Sequence, residues 1–226
     1  MVGSYVMAQW LRDGRPLAVI ARGKGAHSAT ERIEQILCRF EAAWSVTLPR
    51  PRVFQGDLNQ PGLGLLSVNA QWIADNCSQI LHSAASLSFA PASESVDNEP
   101  YRTNVHGTEY VLDFCRESGI SHFHHISTAY VCGKRSGAVL ESEGNVGQDF
   151  ANDYERSKLL AEGLLDAALR AGTLESLTIY RPSIVIDRTG LSPISGDRTI
   201  YGAFSMYQML ASRFGLPAHG EWFRNL

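Results

Sequence analysis

The sequence predicts an α/β fold built on a doubly wound parallel sheet. Three observations carry that expectation. Short apolar runs of strand length, such as Leu17-Ala18-Val19-Ile20-Ala21, read as strands buried on both faces. Longer stretches with apolar residues at helical spacing separate them, so the connections are right-handed βαβ crossovers and the strands are parallel. Composition supports one sizeable core, with 226 residues that are 44% hydrophobic and 19% charged. The same figures exclude a disordered chain, and 20 Lys and Arg against 23 Asp and Glu exclude a large basic footprint for nucleic acid. No apolar run reaches the ~20 residues of a membrane span.

Each element has its own signal. A first helix over Ser4 to Arg12 carries Tyr5, Val6, Ala8, Trp10 and Leu11 and stops at Gly14. After the strand Leu17 to Ala21 and a small-residue loop, Ser28 and Glu31 form a capping box. Ile33, Ile36, Leu37 and Phe40 then form an i, i+3, i+4, i+7 stripe. Arg52 to Gly56 is a strand, Val68 to Asn76 a helix, and Gln79 to His82 a strand. Tyr101, Val105, Thr108, Leu112 and Cys115 make a further helical stripe ended by Gly119. His122 to Ser127 is a strand, and Asn152 with Glu155 starts a helix from Tyr154 to Ala171. Leu177 to Arg181 is a last strand, stopped by Pro182.

Parallel sheets of this kind place ligands at the carboxyl ends of their strands. The positions to search are therefore Arg22, Asp57, Ser83 to Ala85, Ser127 to Tyr130, and Pro182 with Ser183. Tyr154 and Lys158 lie four apart on a helix and share a face. A phenol with an ordinary pKa of ~10 is a poor acid at neutral pH, and an ammonium one turn away favours the phenolate. Thr128, at the end of a strand, supplies a hydroxyl able to bond a substrate carbonyl.

These residues resemble the catalytic triad of the extended short-chain dehydrogenase/reductase family: Thr128, Tyr154 and Lys158. Further stretches match the family in order. Asp57, with Leu58 beside it, resembles the residue that meets the adenine. His82-Ser83-Ala84-Ala85 resembles the H-x-A-A turn beside the cofactor. Asn104-Val105-His106-Gly107-Thr108 resembles the N-V-x-G-T helix, and Tyr180-Arg181-Pro182-Ser183 the R-P-S segment. Ser127-Thr128-Ala129-Tyr130-Val131 is similar to the loop of the thioester-reductase and fatty-acyl reductase ("male sterility") branch.

The resemblance implies a Rossmann-like, NAD(P)-binding domain and an NADPH-dependent oxidoreductase acting on an acyl thioester or related carbonyl. It implies that Thr128 bonds the carbonyl oxygen, Tyr154 donates the proton, and Lys158 tunes Tyr154 and binds the nicotinamide ribose. Gly3, Arg22, Lys24, Asp57, Leu58, Ser83, Ala84, Ala85, Asn104, Tyr154, Lys158, Pro182 and Ser183 are the cofactor-binding candidates. NAD-preferring relatives carry an acid at the end of the second strand to bind the ribose hydroxyls. Here Arg22 and Lys24 stand there instead, which suits a 2′-phosphate and favours NADPH over NAD. Asn104 and Ser127 are second candidates for orientation.

The family begins with a strand and a G-x-x-G-x-x-G turn that cradles pyrophosphate with backbone N–H groups. This sequence carries only Gly3 of that turn, so the first strand and most of the Gly-rich turn are expected to be missing. The expectation is of a single N-terminally truncated NAD(P)-binding domain over 1–226, with Met1 an internal methionine. Residues 183–226 are expected to start the substrate-binding portion. Two alternatives stand beside this one: an NAD(P)-dependent sugar-nucleotide or steroid-type epimerase or dehydrogenase, and a truncated, non-catalytic nucleotide-binding protein.

Other features are read as structural. Cys38, Cys77, Cys115 and Cys132 lack CxxC spacing and are expected to be buried or semi-buried thiols of a reducing, cytoplasmic environment. His122, His124 and His125 lack a supporting carboxylate or cysteine, so no metal site is expected. Glu141 and Glu143 read as a solvated loop. Tyr201, Phe204, Met206, Tyr207, Met209 and Leu210 read as core or channel wall. The expected partner is a small-molecule or carrier-bound acyl substrate, and a homodimer is compatible with the composition.

Overall fold

A computed structural model describes residues 2–89 and 97–185. The Tyr201 to Leu210 cluster and nearly all of 183–226 lie outside the described residues. The element order alternates as the periodicity predicts. It runs α1 (Val2–Arg12), β1 (Ala18–Ala21), α2 (Ala29–Trp44), β2 (Arg52–Gln55), α3 (Ser67–Asn76), β3 (Gln79–His82), α4 (Gly107–Ser118), β4 (His122–Ile126), α5 (Asp153–Arg170) and β5 (Ser176–Tyr180).

Among the described residues all pairs of named strands are parallel. They form two groups, β1-β2 and β3-β4-β5, and among the described residues no strand joins β1 to β3. That break lies where the sequence leads one to expect a missing strand. One core nonetheless spans both groups: Phe54 of β2 and Phe123 of β4 pack with Ile73 of α3, Phe114 of α4 and Leu165 of α5. Full burial of each such side chain contributes roughly 1.5–3 kcal/mol. On the other face α1 buries Met7, Ala8 and Leu11, and the Tyr5 ring meets Phe40 of α2 edge-on at 4.8 Å.

Several elements follow from local chemistry. The Ser28–Glu31 capping box is complete, with Ser28 Oγ accepting from Glu31 N and Glu31 accepting from Ser28 N. At α5, Asn152 Oδ1 accepts from Glu155 N at 3.0 Å. The return bond differs from a capping box, because Glu155 accepts from Ala151 N and Asn152 Nδ2 instead.

Two expectations are corrected. The strand Ala18–Ala21 is half-buried throughout rather than buried on both faces. β4 alternates, with Phe123 and His125 buried and His122 exposed. Phe123 of β4, with Ile20 of β1 packed against the same cluster, faces the core shared with α3, α4 and α5. Of the cysteines, Cys115 is buried and Cys77 and Cys132 are intermediate, but Cys38 is exposed on α2, where its thiol faces Glu34.

The end of β5 is pinned by an ion pair between half-buried Arg181 and buried Glu162. Arg181 Nη2 and Nε donate to both carboxylate oxygens of Glu162 at 2.7 and 3.1 Å. Its Nη1 donates to the backbone oxygens of Glu141 and Glu143. One guanidinium thus ties the loop after β4 to α5. Arg181→Met is expected to lower unfolding free energy by roughly 3–5 kcal/mol in urea titrations, because Glu162 is left charged and unpaired. Adding Glu162→Leu is expected to recover most of that loss.

Candidate functional site

Because the strands are parallel, their carboxyl ends share one rim, and the predicted residues gather there. Arg22 and Lys24 follow β1 and are exposed. Asp57 follows β2, where its Oδ1 accepts from Asn59 N at 3.0 Å and its own N–H bonds Leu63 O. Leu58 packs under α4, since a side chain at Gly107 would meet Leu58 Cβ at 3.4 Å. Ser83, Ala84 and Ala85 follow β3 and are exposed. Pro182 is brought beside the loop after β4 by a 2.9 Å bond from Ala129 N to Pro182 O, and Ser183 is exposed next to it.

Gly3 lies in the first turn of α1, against the end of β3. A Cβ there would meet the Ser83 hydroxyl and lie 3.1 Å from Ser83 Cβ, so any larger residue requires Ser83 to turn away. The first turn of α1 carries no acidic residue. A glycine at a helix N-terminus, free of acids and facing the end of a strand, fits a phosphate group. Gly133 plays a comparable part beyond β4. Its φ is 61°, and a Cβ would collide with Asp149 O, so the loop folds tightly onto the segment leading into α5.

Thr128 and Tyr154 are brought together. The Thr128 hydroxyl lies close enough to the Tyr154 phenol to favour the phenolate, but burial outweighs it and holds the phenol above its ordinary pKa. Phe89 contacts the Tyr154 ring edge-to-face at 5.3 Å. Beside the same turn lies a cavity of about 610 Å³, walled in part by Phe89, Phe150, Leu159 and Leu160 and by Arg156.

Lys158 differs from expectation. It is 1% exposed, and its Nζ donates to Ile126 O at 2.8 Å and to His125 Nε2 at 3.1 Å. Among the described residues its bonds go to β4, and the one interaction opposing burial at Tyr154 comes from Thr128. The expected tuning of the phenol by Lys158 is therefore not a contact in this structure. Burial pushes the Lys158 ammonium down to about 8, with Glu162 opposing.

Asn104 is also placed differently from a ligand-facing residue. It is buried, its Oδ1 accepts from Ser86 N at 2.8 Å, and its Nδ2 donates to Ser86 O and Ser157 Oγ. It holds the segment after β3 against α5. Asn104 sits in a π-helical turn, Arg102–His106, that opens α4. Such turns are rare, and helical periodicity does not announce them. Ser127 Oγ is buried with no hydrogen-bond partner.

The sequence reading passed over three residues. Arg32 on α2 donates to the backbone oxygen of Arg22, adding a third cation beside Arg22 and Lys24. Its signal was its place one turn into the helix after the basic loop. His82, which opens the His82-Ser83-Ala84-Ala85 turn, and His125, read as structural, lie at paired positions of β3 and β4 and are buried with rings 5.3 Å apart. Burial, then the Lys158 charge, pushes His82 down to about 3 and holds His125 well below its ordinary value. His122 instead bonds Ser176 Oγ, and His124 bonds Gln79 Oε1. Among the described residues no cluster of metal-ligating side chains forms.

The comparisons with known proteins fit this geometry. The family model described as "Male sterility protein" matches residues 1–224. A putative fatty acyl-CoA reductase of Drosophila melanogaster, CG8306, is 27% identical over 179 residues, covering 75% of this chain and 33% of that protein. The terminal R domain from the myxalamid PKS-NRPS biosynthetic pathway superposes with a TM-score of 0.66 at 27% identity, over 81% of this chain and 46% of that one. A Thermus thermophilus UDP-glucose 4-epimerase complex with NAD gives a TM-score of 0.60 at 19% identity, over 96% and 61%, which is a likeness of fold alone. The chain thus spans about a third of the fly relative and under half of the R domain.

The buried bases set a pH signature. Between about pH 3 and 6.5 the unfolded chain binds a proton at His82 that the folded one does not, so stability rises with pH there. Lys158 acts with the same sign between about 8 and 10.5, over a window worth about 3 kcal/mol. Lys158→Met is expected to abolish the upper rise and leave most of the lower one, as read by urea unfolding from about pH 3 to 11.

Proposed function

The chain belongs to the male sterility protein family, within the extended short-chain dehydrogenases/reductases, and from that premise we propose that it is an NADPH-dependent oxidoreductase of acyl thioesters. The single observation that carries the proposal is the Thr128–Tyr154 hydroxyl pair at the carboxyl ends of the strands. When bound, the reduced nicotinamide supplies a hydride to the carbonyl carbon. Thr128 bonds the carbonyl oxygen, and Tyr154 gives its proton to that oxygen as negative charge develops. Tyr154 carries its proton at neutral pH, and burial makes it a weaker acid than a free phenol, so the proton moves only as negative charge builds on the carbonyl oxygen. Lys158, one turn on from Tyr154 and held by β4, is the residue we assign to the nicotinamide ribose.

The cofactor preference rests on charge. Arg22 and Lys24, with Arg32 behind them, supply three cations at the end of β1, a set that suits the 2′-phosphate of NADPH. Gly3 and the start of α1, with Ser83 to Ala85, are assigned to the pyrophosphate. Asp57 and Leu58 are assigned to the adenine, and Pro182 and Ser183 to the nicotinamide side. The substrate assignment is a coenzyme A or carrier-protein thioester. The relative named as a putative fatty acyl-CoA reductase and the R domain of a PKS-NRPS pathway support it. The epimerase alternative draws on fold likeness only. A cytoplasmic location follows from the cofactor and the free thiols, and belongs to the same proposal.

Two outcomes test the reading. Tyr154→Phe is expected to cut NADPH-dependent turnover of an acyl-CoA by ~10²–10⁴ while the NADPH Kd stays within about twofold. Unchanged turnover overturns the assignment. Arg22→Ala with Lys24→Ala is expected to weaken NADPH by roughly 10-fold or more in calorimetry and leave NADH unaffected.

A further inference from the structure

We propose that His125 is a positioning residue for Lys158: a neutral imidazole whose Nε2 is the buried acceptor that holds the lysine's ammonium. An ammonium has donors only, so the 3.1 Å contact requires a lone pair on Nε2, and the single ring proton then sits on Nδ1. The backbone oxygen of Ile126 takes a second N–H at 2.8 Å. Both acceptors come from β4, one residue apart, and together they fix where Nζ points.

The neighbouring histidine locks the arrangement. Thr108 Oγ1 donates to Asn104 O at 2.7 Å, so at 3.3 Å from His82 Nε2 it accepts that ring's proton. His82 therefore carries its proton on Nε2 and His125 on Nδ1, opposite tautomers in rings 5.3 Å apart. A proton added to either ring would face Lys158 and the other ring, and burial holds both neutral. Glu162, on the next turn of α5, is the carboxylate whose charge reaches Lys158, and it is itself paired with Arg181. Tyr154 lies one turn back on the same helix.

A packing role alone does not account for this side chain. His125 is completely buried, and its Nδ1 has no hydrogen-bond partner. Leucine or phenylalanine would fill that place without stranding a polar atom. What histidine adds is the Nε2 lone pair at the lysine.

The test uses the full chain and needs neither cofactor nor substrate, so its failure is separable from failure of the proposed reduction. The sequence holds three lysines, Lys24, Lys134 and Lys158, so the signals of [ε-13C]lysine can be assigned by single substitutions. In the wild type the Lys158 signal is expected to titrate near pH 8. His125→Leu is expected to lower that midpoint by about one pH unit, since the charged form loses an acceptor. His125→Gln, whose amide oxygen reaches the same place, is expected to restore it. An unmoved midpoint in folded His125→Leu overturns the proposal.

A second measurement requires no variant. Long-range 1H–15N spectra of the wild type are expected to show His125 with its proton on Nδ1. A proton on Nε2, or an imidazolium at pH 7, overturns the proposal even if the leucine variant fails to fold. Where the chain reduces an acyl-CoA, an arm that rests on the proposed function, His125→Leu is expected to lower kcat about tenfold with KM nearly constant. The glutamine variant is expected to recover it.

Discussion

Burying the Lys158 ammonium is the constraint on which the site depends. At 1% exposure the charge has lost its water and must find acceptors within the protein. It finds them on β4, in the Ile126 carbonyl and the His125 ring. This requires α5 to lie close over β4 and requires both buried histidines to stay neutral. The i, i+4 spacing then sets Tyr154 one turn from Lys158, where its phenol meets Thr128 at the strand's end. A shift of α5 by one residue would break the lysine's bonds and separate the two hydroxyls together.

Other contacts defend the same placement. Asn104 ties the segment after β3 to Ser157, the residue before Lys158. Arg181 ties the loop after β4 to Glu162, one turn beyond it. Asn152 and Glu155 close the first turn of α5. These contacts reach α5 from β5, from the start of α4 and from its own cap. Helix α5 is thus held at several points, and the rim of strand ends carries the exposed groups Arg22, Lys24 and Ser83. The division is one of rigidity below and access above. It suits a site in which the protein's part is to hold hydroxyls in place for a diffusible cofactor and substrate.

Much of this was legible in the sequence. The stripe Ile33, Ile36, Leu37, Phe40 is an amphipathic helix, and the Ser28 box starts it. The order of strands and helices alone places Arg22, Asp57, Ser83, Thr128 and Pro182 at strand ends. The parts that were not legible depend on register between distant segments. Nothing local says that His82 pairs with His125, or that Lys158 turns to that ring rather than to Tyr154. The π-helical turn at Asn104 disrupts the very period used to find helices. The Arg181–Glu162 pair joins residues on a strand and a helix whose contact only the crossover creates. Glu162 does share a face with Lys158 by spacing, which was a signal available to be read.

The most direct test of the central claim follows NADPH oxidation and thiol release together. With a long-chain acyl-CoA, the chain is expected to oxidise NADPH and to free one coenzyme A thiol for each thioester reduced. Turnover of a nucleotide-sugar with no thiol released from any thioester would contradict the account.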